Sequence, residues 1–255
     1  MRAADSAGRP IPSSVLSLGA QPLVSANAHA APAHGGHEEH HHYTTTGLDS
    51  RKIAIWAFIG SECMLFASLI STYLIYKGRS IVGPFPHTAW TNPQTGQVMK
   101  PILNIPVTSA STFVLLMSSL AMVLALAAVE NKDKPLPAGA GLGDRMLASS
   151  KLWLWATCLL GAGFLAFQAY EFTSFVHEGL TIKTNLFGST FFTLTGFHGA
   201  HVTAGVIWLG TLLAIDYKRG LGPKDALNVD IAALYWHFVD VVWIAIFTLL
   251  YLIPD

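Results

Sequence analysis

The chain has 255 residues, of which 52% are hydrophobic and only 12% are charged, and its formal net charge is zero. Because ordinary soluble domains are about 25% charged, a soluble protein of this composition would lack the charged side chains needed to cover its surface. The composition therefore favours a membrane protein, and the balanced charge argues against a nucleic-acid-binding protein.

The first fifty residues have a different composition from the rest of the chain. They are rich in Ala, Ser, Pro and Gly, and six of them are histidines: His29, His34, His37, His40, His41 and His42. We predict that residues 1–50 form a disordered tail. The apolar run at residues 11–18 is interrupted by serine and is too weak for a secretory signal. A histidine-rich tract can also bind metal, so a metal-binding sensor built on the tail is an alternative for this region.

Five segments are long enough to cross a bilayer, which takes about 20 mostly apolar residues in a helix. They are Ile53–Tyr76, Ile105–Val129, Leu152–Phe175, Leu186–Ile215 and Ala232–Ile253. We therefore predict an all-α integral membrane bundle of five transmembrane helices. The connecting loop at residues 132–150 separates a two-helix segment at residues 51–131 from a three-helix segment at residues 151–255. We expect the helices to be arranged as two plus three, with a cleft between the groups.

Lysine and arginine are distributed unevenly between the loops, and the cytoplasmic side of a membrane protein is usually the side richer in them. The tail and the loops after the second and fourth spans hold eleven: Arg2, Arg9, Arg51, Lys52, Lys132, Lys134, Arg145, Lys151, Lys218, Arg219 and Lys224. The other loops hold four: Lys77, Arg79, Lys100 and Lys183. This distribution predicts a cytoplasmic N-terminus and a C-terminus on the outer side. Lys218 and Arg219 lie where they can bind anionic lipid headgroups.

Six ionisable residues lie inside the predicted spans: Glu62, Glu171, His198, His201, His237 and Asp240. A charged side chain at the middle of a membrane helix costs at least about 2.5–3.5 kcal/mol. Such side chains therefore face protein or a water-filled cavity, and they are the first candidates for functional residues.

Glu62 is the first of these candidates. It follows Arg51 by eleven residues, which is about 16 Å along a helix and close to the middle of the bilayer. One interpretation is a protonated carboxyl group that hydrogen-bonds a neighbouring helix. The other is a group that handles protons or lies beside a proton path. The sequence leaves both interpretations open.

The remaining five ionisable residues favour a structural role. His198 and His201 are three residues apart and share one helix face, and His237 and Asp240 repeat this spacing in the fifth span. Together they can form a metal site or a haem ligand pair, but no spacing here specifies a coordination geometry. Hydrogen bonds between helices are the favoured interpretation. Glu171 lies near the outer end of the third span, where a structural hydrogen bond is also expected.

The second span carries hydroxyl side chains on one broad stripe: Thr108, Ser111, Thr112, Ser118 and Ser119. Such a stripe can line a water path, but hydrogen bonding between packed helices is the favoured interpretation. The chain has no nucleophile-and-base arrangement, glycine-rich phosphate loop, CxxC pair or CxxCH haem-attachment motif. The residues thus indicate a membrane scaffold, and we assign no catalytic, cofactor-binding or metal-binding residue.

Five separate motifs, in the same order, resemble subunit III of the haem-copper cytochrome oxidases. They are SECMLFA (Ser61–Ala67), LNIPVTSAST (Leu103–Thr112), FQAYEF (Phe167–Phe172), GSTFFTLTGFHGAHVTAG (Gly188–Gly205) and LYWHFVDVVW (Leu234–Trp243). The resemblance covers residues 53–253. The chain is similar to the five-helix bacterial form of this subunit, which lacks the first two of the seven helices present in many oxidases.

This resemblance implies a subunit of a proton-pumping terminal oxidase that reduces oxygen to water in the bacterial inner membrane. The haems and coppers would belong to the partner subunits, and this chain would hold none. Its main contact would be subunit I, which it would stabilise and support in proton uptake; subunit II would be a further partner, and phospholipid would occupy the cleft. Glu62 matches the family's intramembrane glutamate that reacts with carbodiimides. His198, His201, His237 and Asp240 match motif positions without a known redox role.

Two other functions stay open. Subunit III of a quinol oxidase is the alternative within the same superfamily, because other subunits bind the electron donor. An independent transporter, or a haem-carrying membrane anchor that uses His198, His201 and His237, belongs to a different class. Transporters often contain internal repeats, and the sequence shows none.

Overall fold

The computed structural model describes residues 49–92, 96–136 and 139–254. These residues contain the helices α1 Ser50–Tyr76, α2 Ile105–Glu130, α3 Leu142–Leu147, α4 Ser150–His177, α5 Leu186–Arg219 and α6 Ala226–Phe247. A 3₁₀ turn at Pro223–Asp225 precedes α6, and a π-helical turn at Thr248–Leu252 follows it. The predicted tail and its histidines lie outside the described residues, apart from the last two residues of the tail.

Within the described ranges, α1, α2, α4, α5 and α6 are long and apolar enough to cross a membrane, which confirms the predicted five-helix bundle. α5 has 34 residues, so it is about 51 Å long and extends beyond the hydrocarbon core. α6 begins at Ala226, six residues before the predicted start. The polar residues in this first part of α6 are accommodated because α1 supplies partners: Arg51 donates to Asn228 at 3.2 Å, and Lys52 pairs with Asp230 at 2.7 Å.

Four of the long helices begin at a residue whose side chain accepts a hydrogen bond from a backbone N–H of the first turn. These residues are Asp49, Asn104, Ser149 and Asn185. Each of them satisfies one of the N–H groups that have no partner inside the helix. Pro106 lies in the first turn of α2, where the missing N–H of proline costs nothing.

The helices pack in an order that differs from the predicted groups. α2 packs along α4 and also contacts α6, and α5 lies against α4 and α6. α1 contacts α5 and α6 and buries only Ile55, Phe66 and Tyr73. α1 and α2 therefore each pack on helices of the second group, and the described residues do not show the division into two plus three or a cleft at that division. The prediction relied on loop length, which does not determine side-chain packing.

Two lysines attach α1 to α6, one near each end. Lys52 forms the ion pair with Asp230 near the start of both helices. Just after the other end of α1, Lys77 donates to the backbone oxygens of Ile253 at 2.6 Å and Leu249 at 3.3 Å. Because α1 buries few side chains, these polar contacts fix its position where apolar packing contributes little.

The segment between α1 and α2 contains a short antiparallel pair of strands, β1 Trp90–Thr91 and β2 Val98–Met99. Asn185 binds this segment to the start of α5, because its side-chain amide donates to the backbone oxygens of Val82 and Pro84 at 2.9 Å each. The segment is therefore anchored on the helix ends that it covers.

Trp236 occupies the centre of the bundle and is fully buried. A Cβ atom added at Gly161 of α4 would lie 2.7 Å from its ring, and one added at Gly205 of α5 would lie 2.8 Å away. The indole N–H also donates to the hydroxyl of Ser118 on α2 at 3.0 Å. Small residues thus let three helices approach one large ring, as packing in lipid requires.

We expect Gly205→Ala to destabilise the protein by about 1–3 kcal/mol, because Trp236 is hydrogen-bonded to Ser118 and cannot move away from the added methyl group without losing that bond. Gly210→Ala is the matched control on the same helix, since an added Cβ there meets nothing within 4 Å. Thermal unfolding of the two variants in detergent measures the difference. Equal midpoints would contradict this account of the packing.

Candidate functional site

Glu62 and His201 form a pair between α1 and α5. Oε2 of Glu62 lies 3.0 Å from Nε2 of His201, and Nδ1 of His201 lies 2.7 Å from the backbone oxygen of Phe197. The side chains are 16% and 15% exposed, respectively. Tyr235 donates to the backbone oxygen of His201 at 3.0 Å. The pair lies at the edge of the bundle, near the middle of α1.

The hydrogen bonds of His201 restrict where protons can be in this pair. A backbone oxygen only accepts, so Nδ1 of His201 must carry a proton and donate it to Phe197. Nε2 then either accepts from a protonated Glu62 or donates to an ionised Glu62. These two states differ by the position of one proton along a 3.0 Å hydrogen bond. Either position of the proton preserves the hydrogen bond between Glu62 and His201.

His198 lies one helical turn from His201, but its surroundings are different. It is completely buried and stacks on Trp243, with ring centroids 4.9 Å apart. Edges of Phe164 and Phe66 complete the enclosure, at 5.8 and 6.4 Å. No protein atom of the described residues hydrogen-bonds either ring nitrogen. The two histidines predicted as one group are thus directed to different places.

The other predicted polar residues of α4 and α6 contact α2. Glu171 accepts hydrogen bonds from Thr108 at 2.8 Å and from Tyr251 at 2.9 Å. Nδ1 of His237 lies 2.6 Å from the hydroxyl of Ser119. Asp240 is 3% exposed and lies on the same helix, three residues further on.

Four hydroxyls of the predicted stripe on α2 reach other helices. Trp236 donates to Ser118, and Trp243 donates to Thr112, both at 3.0 Å. Thr108 and Ser119 contact Glu171 and His237, as given above. Ser111 instead donates to the backbone oxygen of Thr108 at 2.9 Å. The stripe therefore connects helices.

These polar residues do not converge on a common point. In the part of the chain that the structure describes, no group of three His, Cys, Asp or Glu side chains is arranged to hold a metal ion. His201 is paired with Glu62, and His237 with Ser119, while His198 is enclosed by aromatic rings.

The two basic residues at the end of α5 have different surroundings. Arg219 pairs with Asp225 at 2.7 Å, whereas Lys218 is exposed in the last turn of the helix. Both side chains are exposed, Arg219 by 61%.

Sequence reasoning missed Asp216, which follows the predicted end of the fourth span by one residue. Asp216 is completely buried and accepts from the hydroxyl of Ser150 at 2.7 Å and from the backbone N–H of Leu221 at 2.8 Å. Nζ of Lys132 lies 3.8 Å from it. This cluster joins the end of α2, the start of α4 and the end of α5. The sequence contains one indication of this cluster. Asp216 is an acidic residue in the final turns of a long apolar helix, just before Lys218 and Arg219.

We expect Ser118→Ala to lower the stability by about 1–3 kcal/mol, because the buried N–H of Trp236 loses its acceptor. Ser111→Ala on the same helix removes a hydroxyl that bonds only its own helix, and we expect a smaller loss. Thermal unfolding of both purified variants provides the comparison. A loss for Ser111→Ala as large as that for Ser118→Ala would contradict a connecting role for the stripe.

The chain is similar in sequence to known oxidase subunits. A family described as "Cytochrome c oxidase subunit III" matches residues 32–254. Cytochrome c oxidase subunit 3 of Bacillus sp. (strain PS3) is 40% identical over 200 residues, which is 78% of this chain and 84% of the relative. Quinol oxidase subunit 3 of Bacillus subtilis (strain 168) is 33% identical over 219 residues, which is 86% of this chain and 95% of the relative.

A third relative is cytochrome bo(3) ubiquinol oxidase subunit 3 of Pseudomonas aeruginosa, which is 34% identical over 227 residues, covering 89% of this chain and 95% of the relative. These similarities extend over all five long helices and confirm the family predicted from the motifs. The chain belongs to the cytochrome c oxidase subunit III family.

Proposed function

We propose that this chain is the non-catalytic subunit III of a proton-pumping terminal oxidase that reduces oxygen to water. The family match across residues 32–254 carries this proposal. The haems and coppers of such an oxidase would be held by its partner subunits, and electrons would not pass through this chain. The hydrogen bonds that Thr108, Ser118 and Ser119 of α2 make with other helices support a scaffold.

The proposed role within the complex is to stabilise subunit I, the main partner, and to support its proton uptake, with subunit II as a second partner. The Glu62–His201 pair supports this role because it can exchange one proton at the edge of the chain, near the middle of the bilayer. A partly exposed ionisable pair at this depth is unfavourable against lipid. Contact with a partner subunit would reduce that cost.

The electron donor would be cytochrome c or a quinol. Relatives of both names align over most of this chain, and the donor would be bound by other subunits. Oxidation assays on the purified complex, with reduced cytochrome c and with a quinol, distinguish the two.

We also propose a location in the bacterial inner membrane, with the N-terminus in the cytoplasm and the C-terminus outside. The eleven lysines and arginines of the tail and two loops, against four in the others, support this orientation. Bound phospholipid is part of the proposal. A groove of about 570 Å³ between α1 and α5 has apolar walls that include Phe58, Trp208 and Ile215, and Arg51 lies on its lining. Exposed Lys218 adds a positive charge near the same side.

We expect a tagged form of this chain to co-purify in detergent with a haem-bearing polypeptide that reduces oxygen. The isolated chain should show no Soret band, because no haem belongs to it. Absorption spectra of the complex and of the separated subunit provide the measurement. A Soret band in the isolated chain, or the lack of any haem-bearing companion, would contradict the proposed function.

We expect Glu62→Gln to leave the haem content and the retention of the subunit unchanged, because the new amide still donates to Nε2 of His201 but cannot release a proton. Oxygen consumption should then decline faster during sustained turnover than in the wild type. Glu62→Leu leaves Nε2 of His201 without a hydrogen-bond partner, which costs about 1–3 kcal/mol of stability. We therefore expect this variant to retain less of the subunit in the complex.

Glu178→Gln, at the outer end of α4, is the matched control for Glu62→Gln. The readouts are the haem-to-protein ratio, the amount of subunit retained and the time course of oxygen consumption. Loss of haem in Glu62→Gln would contradict the scaffold role of the residue. A time course of oxygen consumption equal to that of the wild type would contradict its proton-handling role.

For the orientation, we expect an epitope at the C-terminus to be digested by protease added to intact spheroplasts, and an epitope at the N-terminus to be digested only after the membrane is opened. A cytoplasmic protein serves as the control for intactness. The reverse pattern would overturn the orientation.

A further inference from the structure

Two buried side chains, Gln168 on α4 and His198 on α5, carry polar atoms that have no hydrogen-bond partner among the described residues. These atoms are both ring nitrogens of His198 and Oε1 of Gln168. The carboxyl group of Asp240 on α6 is also buried, but it interacts with the hydroxyl of Ser119 on α2. The Nε2 of Gln168, by contrast, donates to the backbone oxygen of Thr195 at 2.7 Å.

Gln168 and His198 lie near each other in the bundle. The ring of Phe164 contacts His198 at 5.8 Å and Trp243 at 4.8 Å, so α4, α5 and α6 meet there. Gln168 is four residues after Phe164, which is about one helical turn from the level of His198. A Cβ added at Gly199 would lie 2.8 Å from Oε1 of Gln168, which places that amide beside the backbone next to His198.

A dry site at this level would be unfavourable. A buried polar group without a partner costs about 1–3 kcal/mol, and nearly all buried polar groups in proteins have a partner, either protein or ordered water. A metal ion does not fit, because no three His, Cys, Asp or Glu side chains converge within the described residues. Water fits, since it both donates and accepts, as the two nitrogens of a neutral imidazole require.

We infer that the centre of the bundle binds water, with His198 as the central ligand and Oε1 of Gln168 as a further ligand. The ring of Phe66 contacts the imidazoles of both His198 and His201, at 6.4 and 5.0 Å. It therefore separates this hydrated centre from the Glu62–His201 pair. The inference goes beyond the proposed function, which does not use the centre of the bundle.

The first test is a cryo-EM map of the complete wild-type complex at a resolution that shows ordered water. We expect density at hydrogen-bond distance, about 2.7–3.2 Å, from at least one ring nitrogen of His198. If the map resolves buried water elsewhere in the membrane region and shows no density at His198, the inference is overturned. This result is independent of the proposed function, because it does not depend on any activity.

The second test is His198→Phe in the same complex. If His198 binds water, we expect the density beside the ring to disappear in the variant, because phenylalanine offers no donor or acceptor. Density that persists unchanged beside the phenyl ring overturns the inference, because His198 is then not its ligand. His177→Phe, at the end of α4, is the control for the exchange of rings. If the His198→Phe complex does not assemble, the cryo-EM map of the wild-type complex alone tests whether water is bound at His198.

Discussion

The polar side chains inside this bundle cannot exchange their hydrogen bonds with bulk water, because hydrocarbon surrounds the helices. They must therefore be satisfied by other protein groups or by water held inside the bundle. On α6, Trp236 and Trp243 each donate to a hydroxyl of α2. Tyr251, in the turn after α6, donates to Glu171 of α4, which also accepts from Thr108. These bonds fix the rotation of the helices about their axes, which apolar contacts in lipid specify poorly.

The same constraint determines the position of α1. This helix buries only three side chains, so lipid competes with the rest of the bundle for most of its surface. Its attachments are polar and lie at three depths: Lys52 with Asp230, Glu62 with His201, and Lys77 with the backbone after α6. The middle attachment joins α1 to α5, whereas the two end attachments join α1 to α6 and to the turn that follows it.

Length and hydropathy alone gave the five spans, because crossing hydrocarbon requires about 20 apolar residues whatever their neighbours are. The packing order could not be predicted in this way. Whether α2 lies beside α1 or α4 depends on which side chains interlock, and Gly161 and Gly205 become informative only when Trp236 is placed between them. The start of α6 was missed for a related reason. Asn228 and Asp230 are unfavourable in an apolar helix until Arg51 and Lys52 are known to face them.

The candidate site shows the same limit within one helix. His198 and His201 are about 60° apart around α5, since each residue advances the helix by 100°, and that difference sends one ring into the aromatic centre and the other to Glu62. Phe66 lies against both imidazoles. The bonds between α2 and α6 involve neither of these two histidines. Neighbouring positions of one helix thus serve different contacts, since His198 packs among aromatic rings at the centre of the bundle and His201 attaches α1 at its edge.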